Sequence, residues 1–459
     1  MTSDYPDHAA GTAETICAIA TPPGVGGVGI VRVSGPAVPQ MAQSLLGRLP
    51  RPRTATLVDI LAASGELIDS GIALYFPQPR SFTGEHVLEL QGHGGRFVLQ
   101  GIVERLLELG ARAARPGEFS QRAFLNDKLD LVQAEAIADL IESGTAAAAR
   151  AAQRSLQGVF SDRVRDLQQQ LTELRAFVEA AIDFPDEEID FLAESDVLQR
   201  IGATQRKVEN LLGEAGQGRL LRDGIVMAIV GRPNVGKSSL LNALSGQDSA
   251  IVTEIPGTTR DVLRELIDLD GIPVHVADTA GIRDSDDLIE AEGVRRARQA
   301  LMAADLILLV EQAGREASPG DDAGLELPAG VKALRVYNKT DLLPAAEQAD
   351  RFARLDPERV WISALTGQGL QALRQRIGAA IGAGEPGVGS FSARQRHVDA
   401  LQRVCAHLAA GAQVMEAFAA GELLAEELRL SQCVLGEITG EMLADDLLGA
   451  IFSSFCIGK

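Results

Sequence analysis

The segment GRPNVGKSS, Gly231 to Ser239, fits the spacing GxxxxGK[ST] and lies between an apolar run, VMAIV, and a helix-like run, SLLNAL. This order suits phosphate binding. Glycines let the backbone wrap an anion, so that N–H groups and a helix N-terminus face its oxygens. Lys237 is placed to reach the β and γ oxygens and Ser238 to offer its hydroxyl to magnesium, with Asn234, Val235, Gly236 and Ser239 completing the cradle. A plain glycine-rich turn is the competing reading, and the residues downstream decide against it.

Asp278, Thr279, Ala280 and Gly281 follow a strand-like VHVA. There Asp278 can hold the magnesium hydration shell while the Gly281 N–H faces the γ-phosphate. Asn338, Lys339 and Asp341 follow LRVY. The Asp341 carboxylate accepts from both N–H groups on the Watson–Crick edge of guanine, whereas adenine would leave a buried acceptor unpaired. Ser363, Ala364 and Leu365 close the base pocket. The loop PGTTRD, Pro256 to Asp261, lies where a mobile switch would sit, with Thr259 as a second hydroxyl ligand to magnesium, and Thr253, Glu254, Ile255, Pro256, Gly257, Thr258 and Thr259 are counted with the GTP-binding residues. Four elements in this order predict a GTPase that binds GTP or GDP with Mg2+. One residue is missing: after Gly281, where many GTPases place a glutamine to orient the attacking water, stands Ile282. The acids Asp284, Asp286, Asp287, Glu290 and Glu292 are the substitutes at hand, and their spacing does not choose among them.

These residues need elements to position them. From about Gly216 to Gly384, strand-like VMAIVG, VHVADTAG, ADLILLVE, LRVYNKTD and RVWISAL alternate with helical stretches, which predicts a parallel sheet with helices on both faces. Residues 1–118 read as a compact α+β unit, with strands at Ile30–Val33, Ile72–Phe76 and Val87–Gln91 and a helix ending near Gly110. From Ser120 to about Leu212, and again from Arg394 to about Leu430, apolar residues recur at three- and four-residue spacing, the mark of long helices. At 459 residues the chain exceeds a single core and suits about three domains of roughly 150 residues. The expected layout is multidomain α+β and α/β: an N-terminal domain over 1–118, a discontinuous helical domain over 119–215 and 385–459, and an inserted P-loop domain over 216–384.

Composition narrows the partners. A formal net charge of −20 repels polyanions at long range, so a nucleic-acid partner would need a local basic patch. The four cysteines, Cys17, Cys405, Cys433 and Cys456, form neither a CxxC pair nor a cluster of metal-ligand spacing. No run of about 18 or more apolar residues and no basic-then-apolar N-terminal leader occurs, so a cytoplasmic protein with no membrane segment is expected.

Beyond these motifs, the chain resembles the tRNA-modification GTPase family called MnmE or TrmE, from Thr15 to Lys459. The blocks that carry the resemblance are TPPGVGGVGIVRVSG, SFTGE, LELQGHGG, RPGEFSQRAFLNDKLDL, AIDFPDEEIDF, the four nucleotide motifs, GELLAEELR, EITGE and the terminal FSSFCIGK. The resemblance implies an N-terminal tetrahydrofolate-binding domain that also forms a homodimer. Its cofactor would be 5,10-methylenetetrahydrofolate, with 5-formyltetrahydrofolate as an analogue, and Arg32, Glu89, Lys128 and Lys459 match the folate-contacting positions. The chemistry suits a pterin, whose amide-like edge donates to a carboxylate, and a glutamate tail that meets cations. The resemblance further implies that Glu290 positions the water, with Arg283 beside it in the switch. Asn234, Thr253, Ile255 and Thr258 would hold a K+ ion that supplies the charge an arginine finger provides elsewhere. Cys456 matches a terminal cysteine required for modification. A flavoprotein resembling MnmG (GidA) would be the partner in a heterotetramer, tRNA the substrate, and DNA not a partner. The product would be an aminomethyl or carboxymethylaminomethyl group on carbon 5 of a wobble uridine.

Two features need separate readings. Gly24, Gly26 and Gly29 match GxGxxG but precede a strand rather than a helix, which makes them a loop of the folate domain and not a dinucleotide site. Arg150, Arg154, Arg163 and Arg165 could face RNA, or pair with acids on their own helices. A regulatory or ribosome-assembly switch GTPase shares the four nucleotide motifs, and a folate-dependent aminomethyltransferase acting on a protein or small molecule shares the folate residues; RNA product and folate binding separate these rivals.

Overall fold

The computed structural model describes residues 14–183, 197–246, 264–277, 301–314, 328, 330–353, 356, 359–382, 390–418, 420–442, 445–455 and 457–458. The chain divides into two compact units, Met1–Ala138 with Gly436–Lys459, and Asp139–Leu435.

In the first unit, β1 (Ile16–Ile19), β2 (Gly26–Ser34), β3 (Thr56–Leu61), β4 (Leu67–Phe76), β5 (Val87–Gly94) and β6 (Arg112–Ala113) form one sheet in the order β3-β4-β5-β2-β1-β6. Its pairings are antiparallel except for β1 with β6. Period-two alternation assigns the faces. Val31, Val33, Leu88 and Leu90 pack with α1 (Val38–Leu46) and α2 (Arg96–Glu108). Arg32 and Glu89, the residues between them, point to the opposite face, where Ile16, Ala18, Phe82 and Phe119 cluster. Phe119 lies on α3 (Glu118–Leu125), and α4 (Leu131–Glu142) follows. Leu131 and Ala134 pack with Phe452 and Phe455, which places the C-terminal residues in this unit.

Beside Phe119, Glu118 is 2% exposed and accepts hydrogen bonds from Arg112 Nη2 (2.6 Å), Arg122 Nη2 (3.1 Å) and the Arg115 N–H (2.8 Å). Burial alone would raise its pKa, but the Arg112, Arg115 and Arg122 hydrogen bonds outweigh burial and hold the carboxyl at about 2. Because the folded value is depressed, the stabilisation is full above the ordinary carboxylate pKa and is lost as pH falls from about 4.5 to about 2. Glu118→Gln is expected to lower unfolding stability by about 3 kcal/mol at pH 7, with the gap to wild type closing through that acid window. A gap that stays constant with pH in denaturant titrations would contradict the assignment.

The second unit holds helices and a second sheet. α5 (Ala146–Leu156), α6 (Val159–Asp183), α7 (Val197–Asp223), α11 (Gln395–Phe418) and most of α12 (Gly421–Thr439) are the long amphipathic stretches expected from the three- and four-residue spacing. The four arginines placed among these helices have local explanations where partners are seen. Arg163 pairs with Glu214 and Arg165 with Asp162, while Arg154 donates to the Ser390 carbonyl; Arg150 is exposed.

The sheet comprises β7 (Ile225–Val230), β8 (Arg264–Leu269), β9 (Ile272–Ala277), β10 (Leu306–Gln312), β11 (Lys332–Asn338) and β12 (Arg359–Trp361), in the order β12-β11-β10-β7-β9-β8. Ile225, Met227 and Ile229 enter one apolar cluster with Leu240 and Leu244 of α8 (Lys237–Ser245) and with Leu373 and Ile377 of α10 (Leu370–Ile381). Ala228 and Val230 enter another with Leu301 and Ala304. Both faces are therefore covered, as the apolar runs require. The sheet differs from the expected all-parallel form in β8, which pairs antiparallel with β9. The cause is Asp270-Gly271, whose φ values of 53° and 96° make the left-handed two-residue turn that joins antiparallel strands. Among the described residues, no helix is long and apolar enough to cross a membrane.

Candidate nucleotide and folate sites

β7 is the fourth strand in the sheet order, and the loop after it leads straight into α8. Gly236 caps that helix with φ 93°, and a Cβ there would lie 2.4 Å from Asn338 Nδ2. A Cβ on Gly231 would lie 2.2 Å from the Val310 carbonyl. Both glycines are demanded by close backbone approach, and Asn234 adopts φ 60°, a conformation that non-glycine residues rarely hold outside tight functional turns. Lys237 folds over the loop and donates to the carbonyls of Gly231 (2.8 Å) and Arg232 (2.9 Å), and burial pushes its ammonium below the usual lysine value. A phosphate would offer that cation the negative partner the loop itself lacks. Ser238 and Ser239 stand exposed on the first turn of α8, where helix N–H groups are unsatisfied, and Val235 is buried beneath.

The guanine motif is tied to this loop. Asn338 is 2% exposed; its Nδ2 donates to the Val235 carbonyl at 2.9 Å and its Oδ1 accepts from the Ala364 N–H at 3.0 Å. One amide thus bridges the phosphate loop and the segment Ser363–Leu365. Lys339, at φ 63°, donates to the Asn234 carbonyl. Ser363 is fully buried and its Oγ donates to Asp341 Oδ1 at 2.6 Å, orienting the carboxylate; Leu365 remains 83% exposed. The structure therefore brings Asn234–Ser239, Asn338, Lys339, Asp341 and Ser363–Leu365 to one end of the sheet.

Sequence reasoning missed what holds the two base-pocket segments in register. Tyr337 and Trp361 are register partners on β11 and β12 and stack at 4.3 Å, with the Arg351 guanidinium 4.7 Å from the Trp361 ring. Arg351 lies on α9 (Ala345–Ala353). The signal was present: an aromatic residue immediately before Asn338 and another two residues before Ser363.

Thr253–Thr259, Asp278–Gly281, Arg283, Glu290, Cys456 and Lys459 lie outside the described residues. For the first groups only the approach is defined: Ala277, the residue before Asp278, pairs with Ala228 of β7 in parallel register.

In the first unit, Arg32 and Glu89 face each other across β2 and β5. Arg32 Nε and Nη2 both donate to Glu89 Oε1, at 3.0 and 2.9 Å, and the pair is about one-fifth exposed. Glu89 Oε2 receives no hydrogen bond among the described residues, and the rings of Phe82 and Phe119 each lie 5.7 Å from the guanidinium. A half-buried carboxylate with an open acceptor, a cation and two aromatic walls fits a flat heterocycle with an amide edge, the chemistry of a pterin. Arg32 Nη1 also donates to the Gly458 carbonyl at 3.3 Å, so the C-terminal peptide reaches this pair. Lys128 makes no bond to either residue; it donates to the Pro79 carbonyl at 3.1 Å, on the turn that leads to Phe82.

Two family models match the chain: the MnmE helical domain over residues 131–456 and the N-terminus of the GTP-binding protein TrmE over residues 15–128. Curated relatives named tRNA modification GTPase MnmE match almost end to end. That from Alkalilimnicola ehrlichii is 58% identical over 445 residues, covering 97% of this chain and 99% of the relative. Those from Methylococcus capsulatus and Hydrogenovibrio crunogenus are 55% and 52% identical, covering 97% and 98% of this chain and 99% of each relative. With the phosphate loop, the interlocked guanine motif and both family models in place, this chain belongs to the MnmE (TrmE) family of tRNA modification GTPases.

Proposed function

We propose that this protein hydrolyses GTP and uses the resulting conformational cycle in tRNA modification, installing an aminomethyl-type group, carboxymethylaminomethyl in its glycine-derived form, on carbon 5 of a wobble uridine. The observation that carries the reading is the join between Asn338 and the phosphate loop, within a chain that matches the tRNA modification GTPases along 97% of its length. In this reading the α7–β7 connection carries the mechanical effect of the nucleotide domain, and the carbon chemistry belongs to the Arg32–Glu89 site with a one-carbon tetrahydrofolate. Arg32, Glu89, Lys128 and Lys459 bind the folate. Glu89 Oε2 is the acceptor for the pterin edge, and Arg32 orients that carboxylate. When bound, the folate supplies the methylene carbon. The protein works as a homodimer with an MnmG-like flavoprotein in the cytoplasm.

At the nucleotide, Lys237 and the loop amides orient and neutralise the phosphates, Ser238 and Thr259 ligate Mg2+, and Asp341 selects guanine. Asn234, Thr253, Ile255 and Thr258 hold K+. Glu290, with Arg283 beside it, positions the water that the absent glutamine would otherwise orient. Glu290→Ala is therefore expected to bind GTP normally in equilibrium titration while turnover drops about 10²-fold; unchanged hydrolysis would remove Glu290 from the mechanism. Turnover in KCl should exceed that in NaCl at matched ionic strength, and equal rates would dismiss the K+ site.

The function as a whole is tested by mass spectrometry of tRNA nucleosides from a deletion strain complemented with the intact protein or with Cys456→Ser. Loss of the modified wobble uridine, restored by the intact protein alone, is the expected result. A wobble uridine that keeps its modification on deletion would favour a regulatory switch GTPase.

A further inference from the structure

We propose that Arg48, Arg51, Arg53 and Arg80 form the surface of the first unit that receives the phosphate backbone of the RNA substrate. This rests on the reading that tRNA is the substrate. The chain as a whole carries a formal charge of −20, so binding a polyanion requires a place where positive charge is concentrated and left unneutralised.

Of the other arginines in the first unit, all but Arg96 are tied to carboxylates. Arg32 pairs with Glu89, Arg105 with Glu108, Arg112 with Glu14 and Glu118, Arg115 with Glu118, and Arg122 with Glu118 and Glu85. The four proposed arginines differ. Among the described residues none of them makes an ion pair, and the hydrogen bonds seen go to backbone carbonyls: Arg48 Nη2 to Leu57 at 3.0 Å, and Arg53 Nη2 to Arg80. A carbonyl orients a guanidinium without cancelling its charge.

The fold gathers them. Arg48, Arg51 and Arg53 stand on the segment between α1 and β3, which contains no acid from Gly47 to Val58. That segment is fastened to the end of β4 by a bridge between Pro52 and Tyr75 and by the Arg53 N–H donating to the Tyr75 carbonyl at 2.8 Å. Arg80 stands four residues past the end of β4, and the Lys128 ammonium reaches the same turn at Pro79. All four arginines are exposed, and Arg53 holds φ 55°, a strained conformation for a bulky residue. Their planar forks match phosphate oxygens, and arginine is the weakly hydrated cation suited to such contacts. The turn continues from Arg80 to Phe82, whose ring packs against Arg32. An RNA backbone held on this surface would therefore run beside the residues assigned to the one-carbon donor.

The test is tRNA binding by the full-length protein, followed by fluorescence anisotropy from about 50 to about 300 mM KCl. The variant Arg51→Ala/Arg53→Ala/Arg80→Ala should reduce the slope of log K against log salt by about 2 to 3, close to 1 for each phosphate no longer neutralised, with GTP turnover unchanged. Arg163→Ala/Arg165→Ala/Arg429→Ala removes the same charge from arginines that face Glu214, Asp162 and Glu426, and should keep the wild-type slope. Arg51→Ala alone, at a side chain with no hydrogen bond among the described residues, should lower the slope by about 1 and guards against a folding defect in the triple variant. A wild-type slope in both patch variants overturns the proposal, as does an equal fall in the control, which would make net charge the cause. Absence of tRNA binding by the wild type would instead overturn the substrate reading on which the proposal stands.

Discussion

Asp341→Asn is expected to weaken GTP binding by about 10²–10⁴-fold and to raise affinity for xanthosine triphosphate. Two charge-assisted hydrogen bonds to guanine are at stake, each worth about 1.5–3 kcal/mol. An asparagine keeps one acceptor and turns an N–H toward a base donor; xanthine, with an oxygen where guanine carries its amino group, accepts that N–H. The surrounding geometry makes the exchange clean. Ser363 Oγ, fully buried, donates to Asp341 Oδ1 at 2.6 Å and holds the group in place, and Asn338 separately secures the phosphate loop. Equilibrium titration with fluorescent GTP and XTP analogues reads both affinities. Parallel loss of both nucleotides would mean that Asp341 supports the fold of the loop and does not read the base.

Asp139→Ala is expected to destabilise the second unit by about 3–5 kcal/mol. Asp139 is 6% exposed, and its Oδ1 accepts from Arg222 Nε and Arg394 Nη2, both at 2.8 Å, while its Oδ2 accepts from Ser392 Oγ at 3.2 Å. Arg222 sits at the end of α7, just before the chain enters β7, and Arg394 stands just before α11, after the chain has left α10. One carboxylate therefore joins the entry and exit of the segment that forms the nucleotide sheet. Removing it takes from both guanidiniums the buried acceptor they share, leaving Arg222 with the exposed Asp223, and losing one partner of a buried ion pair costs more than the pair itself is worth. Asp139→Asn, which retains acceptor capacity without charge, should fall between. Denaturant unfolding of the nucleotide-free protein measures the series, and an alanine variant within about 1 kcal/mol of wild type would refute the role.

Much of this was legible from the residues. The phosphate loop could be placed because its neighbours VMAIV and SLLNAL have the periodicities of a strand and a helix, and β7 and α8 lie there. The order of strand and helix signals also predicted the layered nucleotide sheet. The antiparallel β8 was not legible in the same way although Asp270-Gly271 is a strong hairpin signal, because its strand, RELIDL, mixes three charged residues with three apolar ones in no regular period and lacks the continuous apolar run that marks the others.

What the residues determined by themselves is local: spacing sets which side chains share a loop or a helix turn, because backbone geometry repeats every few residues. It also restricts the family, since blocks such as FSSFCIGK and GRPNVGKSS are read directly. Tertiary structure alone decided which distant residues meet. Arg32 and Gly458 stand 426 positions apart yet are joined by a hydrogen bond, and Asp139 reaches Arg394 across 255 positions. No periodicity encodes such pairs, because they follow from the combined burial of apolar surface across many elements, and charge partners are chosen only after that packing has brought them close. The same selection left Arg48, Arg51, Arg53 and Arg80 without carboxylate partners among the described residues, a property invisible in a chain whose overall charge is −20.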